Sequence, residues 1–286
     1  MYRVSKVLNN NGVIAIDMDE NKEYVILGKG VGFGKKVSQR FDKPEGCTTY
    51  RLEQETERGS AKELVKGIEP EYLEIADAIL TESQKVFGDS IDRGILFPLA
   101  DHISFAVARI RRNEQISNPL TEDIKVLFYS EFKVAETLKT ILRERLQIEI
   151  DDHEVGYVAL HIHSAIGDEK VSVAMQTARA VRECIDMIEK ATGKPIDVLS
   201  LSYNRLMNHM KYMVARASTG EKLNLDMNEY MLDQYPQAYK VATDICKNLE
   251  GCIGHKLDET ETGYLAMHIQ RVYKLSLIHI SEPTRP

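Results

Sequence analysis

The chain has 286 residues, 43% hydrophobic and 28% charged with no Trp, the composition of a globular protein of two or three domains. No apolar run approaches the roughly 18 residues of a membrane span, and the start MYRVSKVLNNNG lacks the apolar core of a signal peptide. Cys47, Cys184, Cys246 and Cys252 form no C-x-x-C pair, which argues against structural zinc and a disulfide framework and for a reduced, cytoplasmic protein.

The net charge of −7 hides an asymmetry. Residues 1–52 carry nine Lys/Arg against six Asp/Glu, and the rest carries 28 against 38. A basic head on an acidic body fits a nucleic-acid contact confined to the head. That head reads as β. Arg3–Leu8 alternates Val4 and Val7 with polar residues, Val13–Ile16 and Glu23–Leu27 are short apolar runs, and Lys35–Phe41 is polar and edge-like. Asn9-Asn10-Asn11-Gly12 and Asp19-Glu20-Asn21-Lys22 supply turns. The expectation is a four-stranded antiparallel sheet over residues 1–57. A module of that size buries only about 60% of its unfolded surface, so pairing with a second copy would stabilise it.

After the third strand comes ILGKGVGFGKK, residues 26–36. It is not a nucleotide loop. A Walker motif ending at Gly34-Lys35 would need Gly where Lys29 stands and a hydroxyl where Lys36 stands. Gly-x-G-x-x-Gly fails at Phe33 and at Lys35, and no helix pattern follows. The residues alone leave two readings open: a mobile hairpin with solvated lysines, or a surface that meets nucleic acid.

Residues 58–69 form a charged linker, helical from Ser60, and helical periodicity dominates beyond it. There the sequence repeats. Leu99–Arg109 (LADHISFAVAR) aligns with Leu206–Arg216 (LMNHMKYMVAR), Phe132–Ala135 with Tyr239–Ala242, and Gly156–Ile162 with Gly263–Ile269, all at an offset of 107. Two copies of one helical domain follow, over 65–170 and 171–275, each a bundle of about five helices. Asp151-x-x-Glu154 and Asp258-x-x-Glu261 read as capping boxes. The tail, 276–286, continues no pattern and is expected to be non-native sequence, His279 included.

Of eight histidines only His102 with His209, and His161 with His268, recur. Beyond simple packing, three chemistries compete for them. A metal site could draw on His102, His161 and His163, although an i,i+2 pair diverges on a helix and His163 becomes Gln270 in the second copy. Acid–base catalysis lacks a recurring nucleophile. A ring nitrogen could accept a phosphoryl group, with Arg109 and Arg216, seven residues on, either meeting that phosphate or pairing with a glutamate.

Lys6-Val7-Leu8-Asn9-Asn10-Asn11 with Gly28–Lys36 resembles the N-terminal RNA-binding domain of BglG-type transcriptional antiterminators, with a loop most like the glucose-type members. LADHISFAVAR, GYVALHIHSA, MNHMKYMVAR and GYLAMHIQRV are similar to the histidine motifs of the two phosphotransferase-system regulation domains (PRDs) that follow it. The resemblance covers residues 1 to about 275. It implies a dimeric β-barrel contacting RNA through Lys6, Asn11, Gly28, Lys29, Gly30 and Phe33, with Lys29 where the family often has Arg. It implies phospho-acceptors at His102, His161, His209 and His268. The implied partners are a leader-RNA antiterminator hairpin, a second copy of the chain, the phosphocarrier HPr and a sugar-specific enzyme II, with no cofactor and no enzymatic activity. The rival readings are a metal-dependent enzyme built on the histidine cluster and a PRD-containing DNA-binding activator.

Overall fold

The computed structural model describes residues 1–278 except 54, 57, 58, 115, 168, 169, 194 and 197–199. Of the tail expected to be non-native, 276–286, residues 276–278 continue the last helix, and the rest, His279 included, lies outside the described residues. They form two compact units, Met1–Thr121 with Phe128–Val171, and Glu122–Leu127 with Ser172 onward.

The first unit opens with an antiparallel sheet: β1 (Tyr2–Asn9), β2 (Gly12–Asp17), β3 (Lys22–Leu27), β4 (Arg40–Phe41) and β5 (Thr48–Arg51), in the order β4-β1-β2-β3-β5. β2 and β3 pair without irregularity from Gly12↔Leu27 to Asp17↔Lys22, whereas β1 is bulged after Val4 and after Val7. Val4, Val13, Ala15, Ile26, Val31, Phe41 and Cys47 fill one face, with Tyr2, Val7 and Tyr24 packed against them. The sheet therefore has five strands rather than four. The expected strand at Lys35–Phe41 shrinks to Arg40–Phe41, because Ser38 adopts φ +69 and turns the chain. Ser38 and Gln39 still exchange backbone hydrogen bonds with Val4. The unexpected strand, β5, has one buried side chain, Tyr50, and gains its place by pairing with β3.

A short ladder, β6 (Glu55–Thr56) with β7 (Gly59–Ser60), precedes α1 (Ala61–Gly67), which Ser60 caps by accepting from the Glu63 N–H. α2 (Pro70–Phe87) begins with proline, which lacks only an N–H that the first turn could not use. The tyrosine hydroxyl of Tyr50 donates to Asp77 on α2, and Arg93 donates to both Tyr50 (2.7 Å) and Asp77 (2.9 Å). Burial and then the Asp77 charge hold the Tyr50 hydroxyl protonated. This polar clamp fixes α2 against β5.

The remaining helices are α3 (Leu96–Arg111), α4 (Thr121–Leu127), α5 (Tyr129–Ala135), α6 (Thr137–Leu146), α7 (Asp152–Gly167), α8 (Val171–Thr192), α9 (Leu201–Thr219), α10 (Asn228–Gln234), α11 (Pro236–Ile253) and α12 (Thr260–Ile278). The offset of 107 found in the sequence recurs in these bounds: α4 maps onto α10, and α5 with α6 onto the single α11. Within the second unit Asp123 on α4 is buried, accepts from the Tyr203 hydroxyl (3.0 Å) and lies 4.0 Å from Arg182.

Candidate nucleic-acid interface and paired histidine clusters

The head's candidate RNA face is built from two loops zipped edge to edge. Gly28 N–H donates to the Asn11 carbonyl and Gly32 N–H to the Asn10 carbonyl, both at 2.9 Å. The Asn11 side-chain oxygen accepts from Gly30 N–H at 3.0 Å, and the Asn9 side-chain oxygen from Asn11 N–H at 2.8 Å. Gly30 and Gly34 have φ of +73 and +66, the left-handed region that glycine enters without penalty. Gly32 is needed for another reason. A methyl group there would overlap the Asn9 carbonyl oxygen and come within 3.1 Å of the Gly12 carbonyl oxygen. At Gly28 it would run into Cys47.

On this frame Phe33 is 74% exposed, and Lys6, Lys29 and Gly30 also face solvent. Of the two readings left open for this loop, the loose hairpin is not favoured: the loop is held by backbone hydrogen bonds, and the Phe33 ring points outward rather than into the core. The structure brings Asn11, Gly28 and Gly30 into direct contact. Gly32 and Glu74 escaped the sequence reading. Asn9 Nδ2 donates to Glu74 Oε1 (2.7 Å) and Asn11 Nδ2 to Glu74 Oε2 (3.1 Å), across 65 and 63 residues of sequence.

The four recurring histidines form two clusters. On α3 and α7, the rings of His102 and His161 lie 5.2 Å apart, with Tyr157 at 5.7 Å from His102. On α9 and α12, His209 and His268 stack at 4.6 Å, with Tyr264 at 5.8 Å from His209. His102, His161 and His209 are buried and His268 is half-buried. Burial pushes His209 down to about 3, helped by the charges of His268 and Arg216, and burial with Arg271 and Arg205 pushes His268 down to about 4. Both are neutral imidazoles near pH 7, with a nitrogen lone pair free to act as a nucleophile.

Arg109 and Arg216 are committed to glutamates. Arg109 donates to Glu154 at 2.7 Å, and Arg216 grips Glu261 in a two-point fork at 2.6 and 2.9 Å. Those glutamates read as capping-box acids in the sequence, and this is corrected. Asp151 does cap, accepting from His153 and Glu154 N–H groups, and Asp258 does the same for Thr260. The Glu154 and Glu261 side chains instead turn inward. Their recurrence at the offset of 107 was the available signal. Glu154 Oε2 stands 3.6 Å from His102 Nε2, and Glu261 Oε2 3.9 Å from His209 Nε2. Burial opposes ionisation of Glu154, but His102 and Arg109 together outweigh it and hold the carboxyl below its ordinary range.

Two of the histidines that do not recur, His153 and His163, have local partners. His153 Nδ1 meets the Thr121 hydroxyl at 2.7 Å, and His163 Nδ1 meets Glu131 at 2.9 Å. His161 and His163 thus diverge, as two residues apart on a helix must. No group of three or more His, Cys, Asp or Glu among the described residues could hold a metal ion, and no described helix is long and apolar enough to cross a membrane.

Comparison with known proteins agrees with this architecture. The CAT RNA binding domain model matches residues 2–59, and the PRD domain model matches 77–165 and 182–272. The GlcA/glcB genes antiterminator of Staphylococcus carnosus is 30% identical over 274 residues, 94% of each chain. Transcription antiterminator LicT of Bacillus subtilis is 27% identical over 276 residues, 95% of this chain and 99% of its own. A crystal structure of GlcT CAT-PRDI superposes with a TM-score of 0.51 at 29% identity, covering 58% of this chain and 98% of the other. These findings support neither rival reading, enzyme or DNA-binding activator. RNA is the partner of the CAT domain, and PRD domains place a regulator under the phosphotransferase system. The chain belongs to the BglG-type family of transcription antiterminators, in which a CAT RNA binding domain is followed by two PRD domains.

Proposed function

We propose that two copies of this chain pair through their heads in the cytoplasm, clasp a hairpin in the leader RNA of a sugar-uptake operon and prevent the overlapping terminator from forming. Phe33 stacks on an unpaired base, Asn11 reads base edges, and Lys6 and Lys29 meet phosphates, with Gly28 and Gly30 letting backbone approach the groove. The domains run over 1–57, 65–170 and 171–275. A sugar-specific enzyme II phosphorylates the first PRD at His102 and His161 when its sugar is absent, and this inhibits. HPr phosphorylates the second at His209 and His268, and this activates. The loop favours a glucose operon.

One observation carries this reading: each repeat brings two histidine rings to within 5.2 Å of each other beside the same Arg–Glu pair, whose carboxylate is buried. In the transfer, a ring nitrogen lone pair bonds to phosphorus while the donor's bond to phosphorus breaks, and the phosphorylated ring sheds its proton to water. The new dianion then stands beside a buried carboxylate. Coulomb repulsion between them grows steeply in a site this dry, and the guanidinium has a second anion to choose. Swapping Arg from Glu to phosphate would make each cluster a two-position latch.

The test is to incubate the full chain with phosphoenolpyruvate, enzyme I, HPr and membranes carrying enzyme II, then map the label. Labelled His102, His161, His209 and His268, with hairpin retention changing in parallel, is the expected result. A chain that acquires no phosphohistidine under these conditions would end the proposal.

A further inference from the structure

We infer that Glu74 on α2 occupies the RNA-reading edge of the head, so that docking of the head on α2 and binding of RNA compete for the same two amides. The inference rests on the reading above in which Asn11 contacts RNA.

The hydrogen-bond inventory of the two asparagines carries it. Each side-chain oxygen already accepts one bond inside the head, Asn9 from the Asn11 N–H and Asn11 from the Gly30 N–H. The group that each turns to a partner outside the head is its NH₂. Glu74 takes a donor from both, one carboxylate oxygen each, at 2.7 and 3.1 Å. Two anionic oxygens bridging two amide donors is also how a phosphate or a pair of base acceptors would sit there. The carboxylate thus fills the place of the nucleic acid and adds a negative charge where phosphates approach. Its side chain is 20% exposed, so it can leave without opening the core. A cation stands ready for it: Arg145 Nη1 lies 3.9 Å from Glu74 Oε2. One turn further along α2, Asp77 is held by Tyr50 and Arg93. A shift of α2 that breaks this clamp would withdraw Glu74, and bound RNA would favour the same shift, since coupling between two sites is reciprocal.

The experiment uses full-length chains and an RNA hairpin selected by the parent from a synthetic library of stems with randomised internal loops. Glu74→Ala and the milder Glu74→Gln should each bind that hairpin more tightly than the parent, by about tenfold. Asn11→Ala should bind it more weakly, and adding Glu74→Ala to Asn11→Ala should recover little, because the contested amide is gone. Unchanged or weaker binding by both Glu74 variants, while Asn11→Ala still loses affinity, overturns the competition and leaves the RNA reading intact. Failure to select any hairpin removes the RNA reading and this inference with it, whereas full affinity in Asn11→Ala takes Asn11 out of the RNA contact and overturns this inference alone. Loss of cooperative unfolding in both Glu74 variants would assign the residue a structural role and also overturn the proposal.

Discussion

Replacing Arg216 by methionine strips a guanidinium from a carboxylate that has almost no access to water. The Glu261 side chain is 2% exposed and that of Arg216 14%, and two charge-assisted bonds of 2.6 and 2.9 Å join them. Breaking a buried pair from one side costs about 3–5 kcal/mol, because the remaining charge keeps its desolvation penalty. An open cavity of about 190 Å³ borders the pair, lined by Lys222, Lys256 and Asp258 among others, and lets solvent relax part of that charge. The lower end, about 3 kcal/mol, is the expected loss. For a domain of about 100 residues this lowers the melting temperature by about 12–24 °C. Replacing both partners, Arg216→Met with Glu261→Met, removes the stranded charge and should return most of the loss. The assay is urea unfolding of the full chain, read by hydrogen exchange over α9 and α12. Arg143→Ala is the control: it breaks the exposed pair with Glu149 and should change nothing measurable. If Arg216→Met behaves like Arg143→Ala, or the double variant is no better than the single, the pair is not the buried lock described.

The second unit should also weaken in acid. His209 is held at about 3, far below its ordinary value near 6.5, so the unfolded chain takes up a proton first as pH falls below about 6.5. Stability present above that pH is then lost toward pH 4, at up to about 1.4 kcal/mol per pH unit for this group, with a smaller, solvent-screened share from His268; His209→Gln should flatten the slope of urea midpoints against pH. In the head, Gly32→Ala must push the loop off the Asn9 and Gly12 carbonyls and should cost about 2–4 kcal/mol in thermal unfolding. Gly34→Ala meets no neighbour and carries only the left-handed backbone penalty, about 1–2 kcal/mol. Phe33→Ala should leave the melting temperature alone and weaken RNA binding by about 1–3 kcal/mol in a filter assay, the worth of one stacked base.

The helical body was legible because duplication writes itself twice. One offset of 107 placed the histidines, their arginines and even the bounds of α4 against α10. The head was legible where apolar residues alternate, in β1 to β3. It was not at β5, where Thr48-Thr49-Tyr50-Arg51 buries one side chain and owes its conformation to a partner strand. Glu154 and Glu261 were seen but given the wrong task, since Asp-x-x-Glu fits a cap and says nothing of where the glutamate turns. Glu74 was invisible, because its partners Asn9 and Asn11 are more than 60 residues away and no periodicity links them. Its recognition needed packing, not pattern.

The place of α4 bears on how this molecule can be dissected. Residues 122–127 are covalently part of the first repeat, yet they pack in the unit that begins at Ser172, with Asp123 anchored to Tyr203 and Arg182. A shortened chain ending near residue 171 would carry that segment stripped of its anchors, a buried carboxylate turned loose in water. Genetic halves and physical halves are thus different cuts of the same polypeptide, and a phenotype measured on the former reports partly on an orphaned helix.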